Sequence, residues 1–324
     1  MPKAIRIHRT GGPEVLVWED VPVGDPGPGQ VRLRQTAVGL NYIDTYHRTG
    51  LYPLPALPAV LGREAAGVVT AVGPGVSGLA PGQRVAYPLS AGAYAEERCI
   101  AADLLVPLPD DVGDRTGAAA MLKGLTAHYL LRRTYRVKPG DTILLHAAAG
   151  GVGLIACQWA RALGARVIGT VGSREKAELA KAHGCEHTIV HGEQDFVARV
   201  RELTGGAGVP VVYDSVGRDT FARSLDCLVP FGLLVSFGQS SGPVPPFEVT
   251  TLAEKGSLFL TRPTLATYIA RREELLAASA ELFAAIAAGQ VRIEIGRTYP
   301  LSEAARAHAD LEARRTTGSV VLLP

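Results

Sequence analysis

Leu144-Leu145-His146-Ala147-Ala148-Ala149-Gly150-Gly151-Val152-Gly153-Leu154-Ile155-Ala156 is an apolar run that enters a glycine turn and leaves it as a second apolar run. A strand, a tight turn and a helix fit that order, and the core Gly151-x-Gly153-x-x-Ala156 lets backbone approach a ligand closely. The free N–H groups and positive end of such a helix suit a pyrophosphate, so the turn points to a dinucleotide. The stretch between Asp141 and Arg161 holds 19 residues without a formal charge, close to a membrane-spanning length. Gly150, Gly151, Gly153, His146 and Gln158 interrupt it, so strand, turn and helix explain it better than a membrane span.

Outward from this turn, strand and helix alternate. Strands are expected at residues 142–146, 166–171, 188–191, 211–214, 233–237 and 258–261, with helices at 153–163, 174–183 and 196–203. The fold class is therefore α/β, with a doubly wound parallel sheet of six strands. Upstream, short β-like runs at 4–8, 15–18, 31–38, 66–72, 84–87 and 93–100 are divided by clusters such as Gly24-Asp25-Pro26-Gly27-Pro28-Gly29. They predict a partly antiparallel β domain. Past residue 263 come two amphipathic helices, at 273–288 and 302–313, and a last strand at 319–323. That tail is too short for its own core and is expected to return to the first domain. The expected domains are 1–121 with 263–324, and 122–262, with the cleft between them as the default ligand site.

Lys plus Arg number 33 against 31 Asp plus Glu, with no basic run, so nucleic acid and anionic membranes are poor partners. Cys99, Cys157, Cys185 and Cys227 lie far apart without metal-ligand spacing and read as scattered reduced thiols. Met1-Pro2-Lys3-Ala4-Ile5-Arg6 interrupts its apolar residues with charge before a signal-like region can form, which makes cytoplasmic the default location. The chain has 27 Arg to 6 Lys, two Met and a single asparagine, Asn41. This bias fits both depletion of thermolabile residues and GC-rich coding, and it makes Asn41 a residue to explain.

Cofactor choice depends on the end of the second strand of the sheet, where an acid for the ribose 2′-hydroxyl of NAD is expected. Here the chain reads Gly169-Thr170-Val171-Gly172-Ser173-Arg174-Glu175-Lys176. Gly172 and Ser173, with the cations of Arg174 and Lys176, sit at a helix start and suit the 2′-phosphate of NADPH.

Together the glycine turn, Asn41-Tyr42-Ile43-Asp44-Thr45-Tyr46-His47-Arg48-Thr49-Gly50, Gly62-Arg63-Glu64-Ala65-Ala66-Gly67 and Asp214-Ser215-Val216-Gly217 resemble the zinc-free branch of the medium-chain dehydrogenase/reductases. The chain is most similar to the NADPH-dependent quinone oxidoreductase, or zeta-crystallin-like, group, over essentially its whole length. The resemblance implies a GroES-like catalytic domain, a Rossmann domain and a homodimer. Where zinc-dependent relatives have Cys and His ligands, this chain has Asn41 and Arg63, and the third ligand position falls near Leu122. Arginine cannot ligate zinc, so no metal is expected. Hydride acceptors that need no Lewis acid, such as quinones or activated alkenes, are favoured.

The resemblance places Asn41 at the cofactor cleft, and Lys123 and Thr126 beside the nicotinamide and phosphates. Gly150, Gly151 and Val152 form the phosphate turn. Ser215, and Phe237, Gly238 and Ser240, follow the fourth and fifth strands, where open sheets bind ligands. His191 stands where the family commonly has a 2′-phosphate tyrosine, and Arg314 matches another phosphate contact. Tyr46 and Tyr52 suit stacking on a quinone or donating a proton. Arg262 suits a developing oxyanion. Asp44 and Arg48, four residues apart, are expected to pair as ions. The reading is an NADPH:quinone oxidoreductase; the alternatives are an alkenal or enone double-bond reductase and a non-catalytic, crystallin-like NADPH-binding protein.

Overall fold

Alternation of apolar and polar residues builds the first half of the chain into strands. A computed structural model describes residues 1–324. It opens with β1 (Lys3–Ile7), β2 (Val17–Asp20), β3 (Gln30–Leu40), α1 (Tyr42–Thr49), β4 (Ala59–Val60), β5 (Glu64–Val72), β6 (Arg84–Tyr87), β7 (Glu97–Ala101), β8 (Val106–Pro107) and α2 (Asp114–Tyr129). Then come β9 (Thr142–Leu145), α3 (Gly151–Ala162), β10 (Arg166–Val171), α4 (Arg174–Ala182), β11 (His187–Val190), α5 (Phe196–Leu203) and β12 (Val209–Asp214). They are followed by α6 (Phe221–Ser224), β13 (Leu228–Ser236), α7 (Thr250–Glu254), β14 (Phe259–Thr261) and α8 (Leu265–Tyr268). The chain ends with α9 (Arg272–Ala287), β15 (Ile295–Pro300), α10 (Ala304–Glu312) and β16 (Ser319–Leu323). Contacts divide it into two compact units: Met1–Leu125 with Ile269–Ala287 and Ile293–Pro324, and Thr126–Tyr268 with Ala288–Arg292.

In the first unit, seven strands form one sheet in the order β15-β16-β3-β5-β6-β8, with β7 also paired to β3. The antiparallel pairs β16–β3 and β3–β5 place the end of β3 at its centre. Val31, Leu33, Val38, Leu40, Val69, Val85 and Tyr87 fill its core. The C-terminal tail completes this sheet through β15 and β16.

The second unit has a six-stranded parallel sheet in the order β11-β10-β9-β12-β13-β14, the doubly wound pattern. Its strands are near-continuous apolar runs because both faces are covered. Leu144, Ile168, Val212 and Leu234 are all buried in its core. The charge-free run becomes β9, the glycine turn and α3, and no helix is long and apolar enough to cross a membrane. At Gly153 a Cβ would lie 2.4 Å from the Ala147 carbonyl oxygen, so only glycine permits this close turn.

Some elements differ from the sequence expectation. Pro13–Val15 is a short 3₁₀ turn, and β2 begins only at Val17. Helices α1 and α2 and strand β15 were not foreseen. In α2, Ala118, Ala119, Ala120 and Met121 are all fully buried, which erases the one-sided apolar period that signals a helix. In β15 only Tyr299 is buried, so no alternation marks the strand.

Candidate active site

The end of β3 delivers Asn41 to the N-terminus of α1, where its backbone N–H donates to Asp44 Oδ2 at 2.9 Å. This reciprocal capping, with Gly50 at φ 83° closing the helix, fixes the short turn of chain that carries Tyr46 and His47. Asn41 is buried, and its Nδ2 donates to Glu64 Oε2 at 2.8 Å. Glu64, at 0% exposure, also takes the Lys123 ammonium at 2.9 Å and the Leu122 backbone N–H at 2.6 Å. Gly39 makes this possible, because a Cβ there would stand 2.3 Å from Glu64 Oε2. Asn41 and Lys123 are thus brought together through a carboxylate to which the sequence reading assigned no role.

The rings of Tyr46 and Tyr52 meet edge to face at 5.2 Å, and His47 lies 5.7 Å from Tyr52. The Arg63 guanidinium donates to His47 Nε2 at 2.7 Å. Burial and that cation both push the His47 pKa down, so the imidazole is neutral near pH 7. Asp44 and Arg48 do not pair as the spacing suggests. Arg48 instead turns to Glu312 on α10, with two bonds of 2.9 and 2.7 Å, and Asp44 accepts from Tyr94 at 3.1 Å. The helical spacing allows the ion pair, but Arg48 finds a carboxylate better placed for bidentate binding. Gly62, at φ 86°, admits Tyr94, whose ring would stand 2.2 Å from a Cβ there.

The residues expected to bind cofactor in the second unit gather at strand ends. Gly150 caps α3 with no side-chain bond, leaving Gly151 and Val152 in the first turn. Gly172 follows β10 with open space where a Cβ would lie, and Ser173 caps α4 by accepting from the Lys176 N–H at 3.3 Å. Arg174, offered by the sequence as a phosphate cation, pairs with Glu193 at 3.1 Å. His191 follows β11 and faces His146, ring centre to ring centre at 6.2 Å. The loops bearing Ser215 and Phe237-Gly238 press together: Ser240 N–H donates to the Ser215 carbonyl at 3.1 Å, and a Cβ on Gly238 would meet that oxygen at 2.8 Å. Thr126 is buried on α2. Arg262 follows β14 and donates to its own neighbour's carbonyl, Pro263, at 3.2 Å. In the first unit, Arg314 leaves α10 with φ 58°.

Zinc does not fit the Asn41 and Arg63 positions. Arginine offers no lone pair, Asn41 is bonded to Glu64, and no group of three or more His, Cys, Asp or Glu side chains converges as a metal site. The space beside Gly172 and the uncapped first turn of α3 do fit a dinucleotide.

Among known proteins, an alcohol dehydrogenase GroES-like domain model matches residues 27–110, and a zinc-binding dehydrogenase model matches residues 151–282. A quinone oxidoreductase of Pseudomonas aeruginosa is 56% identical, covering 100% of both chains. A 2-haloacrylate reductase of a Burkholderia species is 52% identical over 100% of this chain and 99% of its own. The crystal structure of Escherichia coli quinone oxidoreductase complexed with NADPH superposes with a TM-score of 0.98 at 51% identity, covering 99% of this chain and 100% of that one. With a GroES-like unit, a doubly wound sheet and that identity along its whole length, the chain belongs to the quinone oxidoreductase family of the medium-chain dehydrogenase/reductases.

Proposed function

We propose that this chain is an NADPH-dependent quinone oxidoreductase that works without a metal. The observation that carries the proposal is its full-length likeness to a quinone oxidoreductase solved with NADPH. In this assignment Gly150, Gly151 and Val152 offer backbone N–H groups to the pyrophosphate, and Ser173 and Lys176 hold the 2′-phosphate with His191 and Arg314. Thr126, Ser215, Phe237, Gly238 and Ser240 hold the rest of the cofactor, together with Asn41 and Lys123. When bound, NADPH supplies the hydride. The Tyr46–Tyr52 pair offers aromatic faces to a planar quinone, and Asn41, locked by Glu64, orients its neighbours. Arg262 is assigned to the developing oxyanion.

The identity to a 2-haloacrylate reductase favours a second reading, reduction of an activated alkene on the same scaffold. Anaerobic decay of NADPH absorbance with ortho-quinones and enones, repeated with NADH and with chelator, separates them. Chelator-insensitive turnover of a quinone is the expected result. Turnover of enones alone selects the second reading, and tight NADPH binding with no turnover leaves a binding protein.

The family's homodimer is part of the proposal. Strand β14 is the last of its sheet, with Phe259 59% exposed and the neighbouring Phe231 71% exposed, a surface that a second copy would cover. Light scattering at micromolar concentration tests it. A cytoplasmic location is supported by four cysteines that are all free.

A further inference from the structure

Asp44 is 1% exposed, and only one of its carboxylate oxygens is engaged. Oδ2 accepts from the Asn41 N–H and from the Tyr94 hydroxyl, whereas Oδ1 has no partner. A buried orphan oxygen is costly, so its presence requires an explanation.

The hydrogen bonds behind Tyr94 run in one direction. Arg48 can only donate, so its bond of 3.1 Å to His308 Nδ1 puts the imidazole proton on Nε2. His308 Nε2 then donates to the Tyr94 oxygen at 2.9 Å, and Tyr94 donates onward to Asp44 Oδ2. Both partners of Oδ2, the Asn41 N–H and the Tyr94 hydroxyl, act as donors to it. A proton on the carboxyl must therefore sit on Oδ1, the free oxygen.

Asp44 lines a small recess with His47, Arg63, Leu54, Val60 and Leu61. Since Arg63 donates to His47 Nε2, the His47 proton is on Nδ1, which faces the Tyr52 and Pro53 backbone carbonyls. An unsatisfied carboxylate oxygen on a residue that lines the recess suits a water held there. The recess adjoins the tyrosine pair, because His47 contacts the Tyr52 ring.

We propose that Asp44 is the proton reservoir of the reduction, releasing the proton held on Oδ1 through a water in the recess to the reduced quinone. The proposal rests on the quinone reductase reading. Hydride arrival turns the quinone into a hydroquinone monoanion. The Asp44 O–H bond then breaks, the water passes one proton on, and an O–H bond forms on the product. Asp44 is left as a carboxylate and takes its next proton from solvent by the same water.

The charges around Asp44 bear on its titration. On its own helix stand the Asn41 N–H and neutral His47; from the segment before β5 comes Arg63, and from α2 Lys123, paired with Glu64. Tyr94 faces it, backed by His308 on α10 and Arg48. Burial outweighs the cations and donors, lifting the Asp44 carboxyl to about 7.

Infrared titration of the ligand-free protein tests the store directly. A carboxylic acid carbonyl band that disappears near neutral pH and is absent from Asp44→Asn is expected; a spectrum that Asp44→Asn leaves unchanged overturns the proposal. In quinone turnover, wild-type kcat should fall as pH rises through neutrality. Asp44→Asn should lower kcat by about 10²-fold and remove that limb. Tyr94→Phe deletes a donor to the carboxylate and should move the limb to higher pH, which keeps the test alive if Asp44→Asn folds poorly. Active wild type with the same limb in both variants overturns the reservoir alone. No quinone reduction by wild type overturns the reservoir and the functional reading together.

Discussion

Each unit buries a histidine close to a carboxylate, and the two arrangements are finished differently. In the second unit, Asp214 accepts from the Val216 and Gly217 N–H groups at 2.7 and 3.1 Å and from the Thr220 hydroxyl. Ser224 lies 3.4 Å from the same carboxylate and also bonds His146 Nε2, whose other nitrogen meets Thr170. Burial pushes His146 down to about 4, so it stays neutral and serves as a spacer. In the first unit, Asp44 keeps one oxygen unmet. The saturated carboxylate braces the loop that carries Ser215, while the unsaturated one retains an oxygen able to carry a proton. Satisfaction of hydrogen bonds separates a structural buried acid from a chemical one.

The strongest break of this comparison is Asp214→Ala, which strands several buried donors and should cost about 3–5 kcal/mol in urea unfolding. Asp44→Asn keeps an acceptor for Asn41 and Tyr94 and should cost about 1 kcal/mol or less. Equal losses would erase the distinction. Next, Glu64→Gln leaves the buried Lys123 ammonium without a counter-ion and should cost about 3 kcal/mol. Adding Lys123→Met to that variant should recover much of the loss by the same measurement.

The pH dependence of stability sharpens the comparison further. Asp44 is raised to about 7 in the fold against ~3.9 unfolded, so its contribution declines as pH rises between those values. His308 is lowered to about 3 by burial and Arg48 against ~6.5 unfolded, so its contribution is lost as pH falls from 6.5 towards 3. From about pH 4 to 6.5 the two slopes oppose. Asp44→Asn removes one of them, so its stability relative to wild type should rise with pH in unfolding at pH 4.5 and 6.5. The smallest effect belongs to the surface. Arg174→Ala breaks only an exposed pair with Glu193 and should leave the melting temperature unchanged, whereas Lys176→Ala should raise KM for NADPH and leave that for NADH alone.

How much was legible varied with distance along the chain. The glycine turn and the six apolar strands are local patterns, so the doubly wound sheet was readable. Helix α2 was not, because burial on nearly every side removed its period. At the site, Asn41 stood out as the single asparagine, and Tyr46 and Tyr52 by their chemistry. Glu64 was visible only as part of Gly62-Arg63-Glu64, with no sign that it would gather Asn41, Lys123 and the Leu122 N–H. Arg48 was misassigned to Asp44 because spacing of four is all a sequence offers, while its partner Glu312 lies 264 residues away.

The sequence by itself determined the glycine turn and the alternation that builds a parallel sheet, and it put at Asn41 and Arg63 side chains that are not cysteine or histidine. These are properties of residue type and near spacing. Only the tertiary structure decided that Tyr94 and His308, 214 residues apart, would meet, so that His308 donates to Tyr94 and Tyr94 to Asp44. Hydrogen-bond satisfaction is a property of converging groups, so which oxygen remains free is settled by packing and by nothing local in the chain.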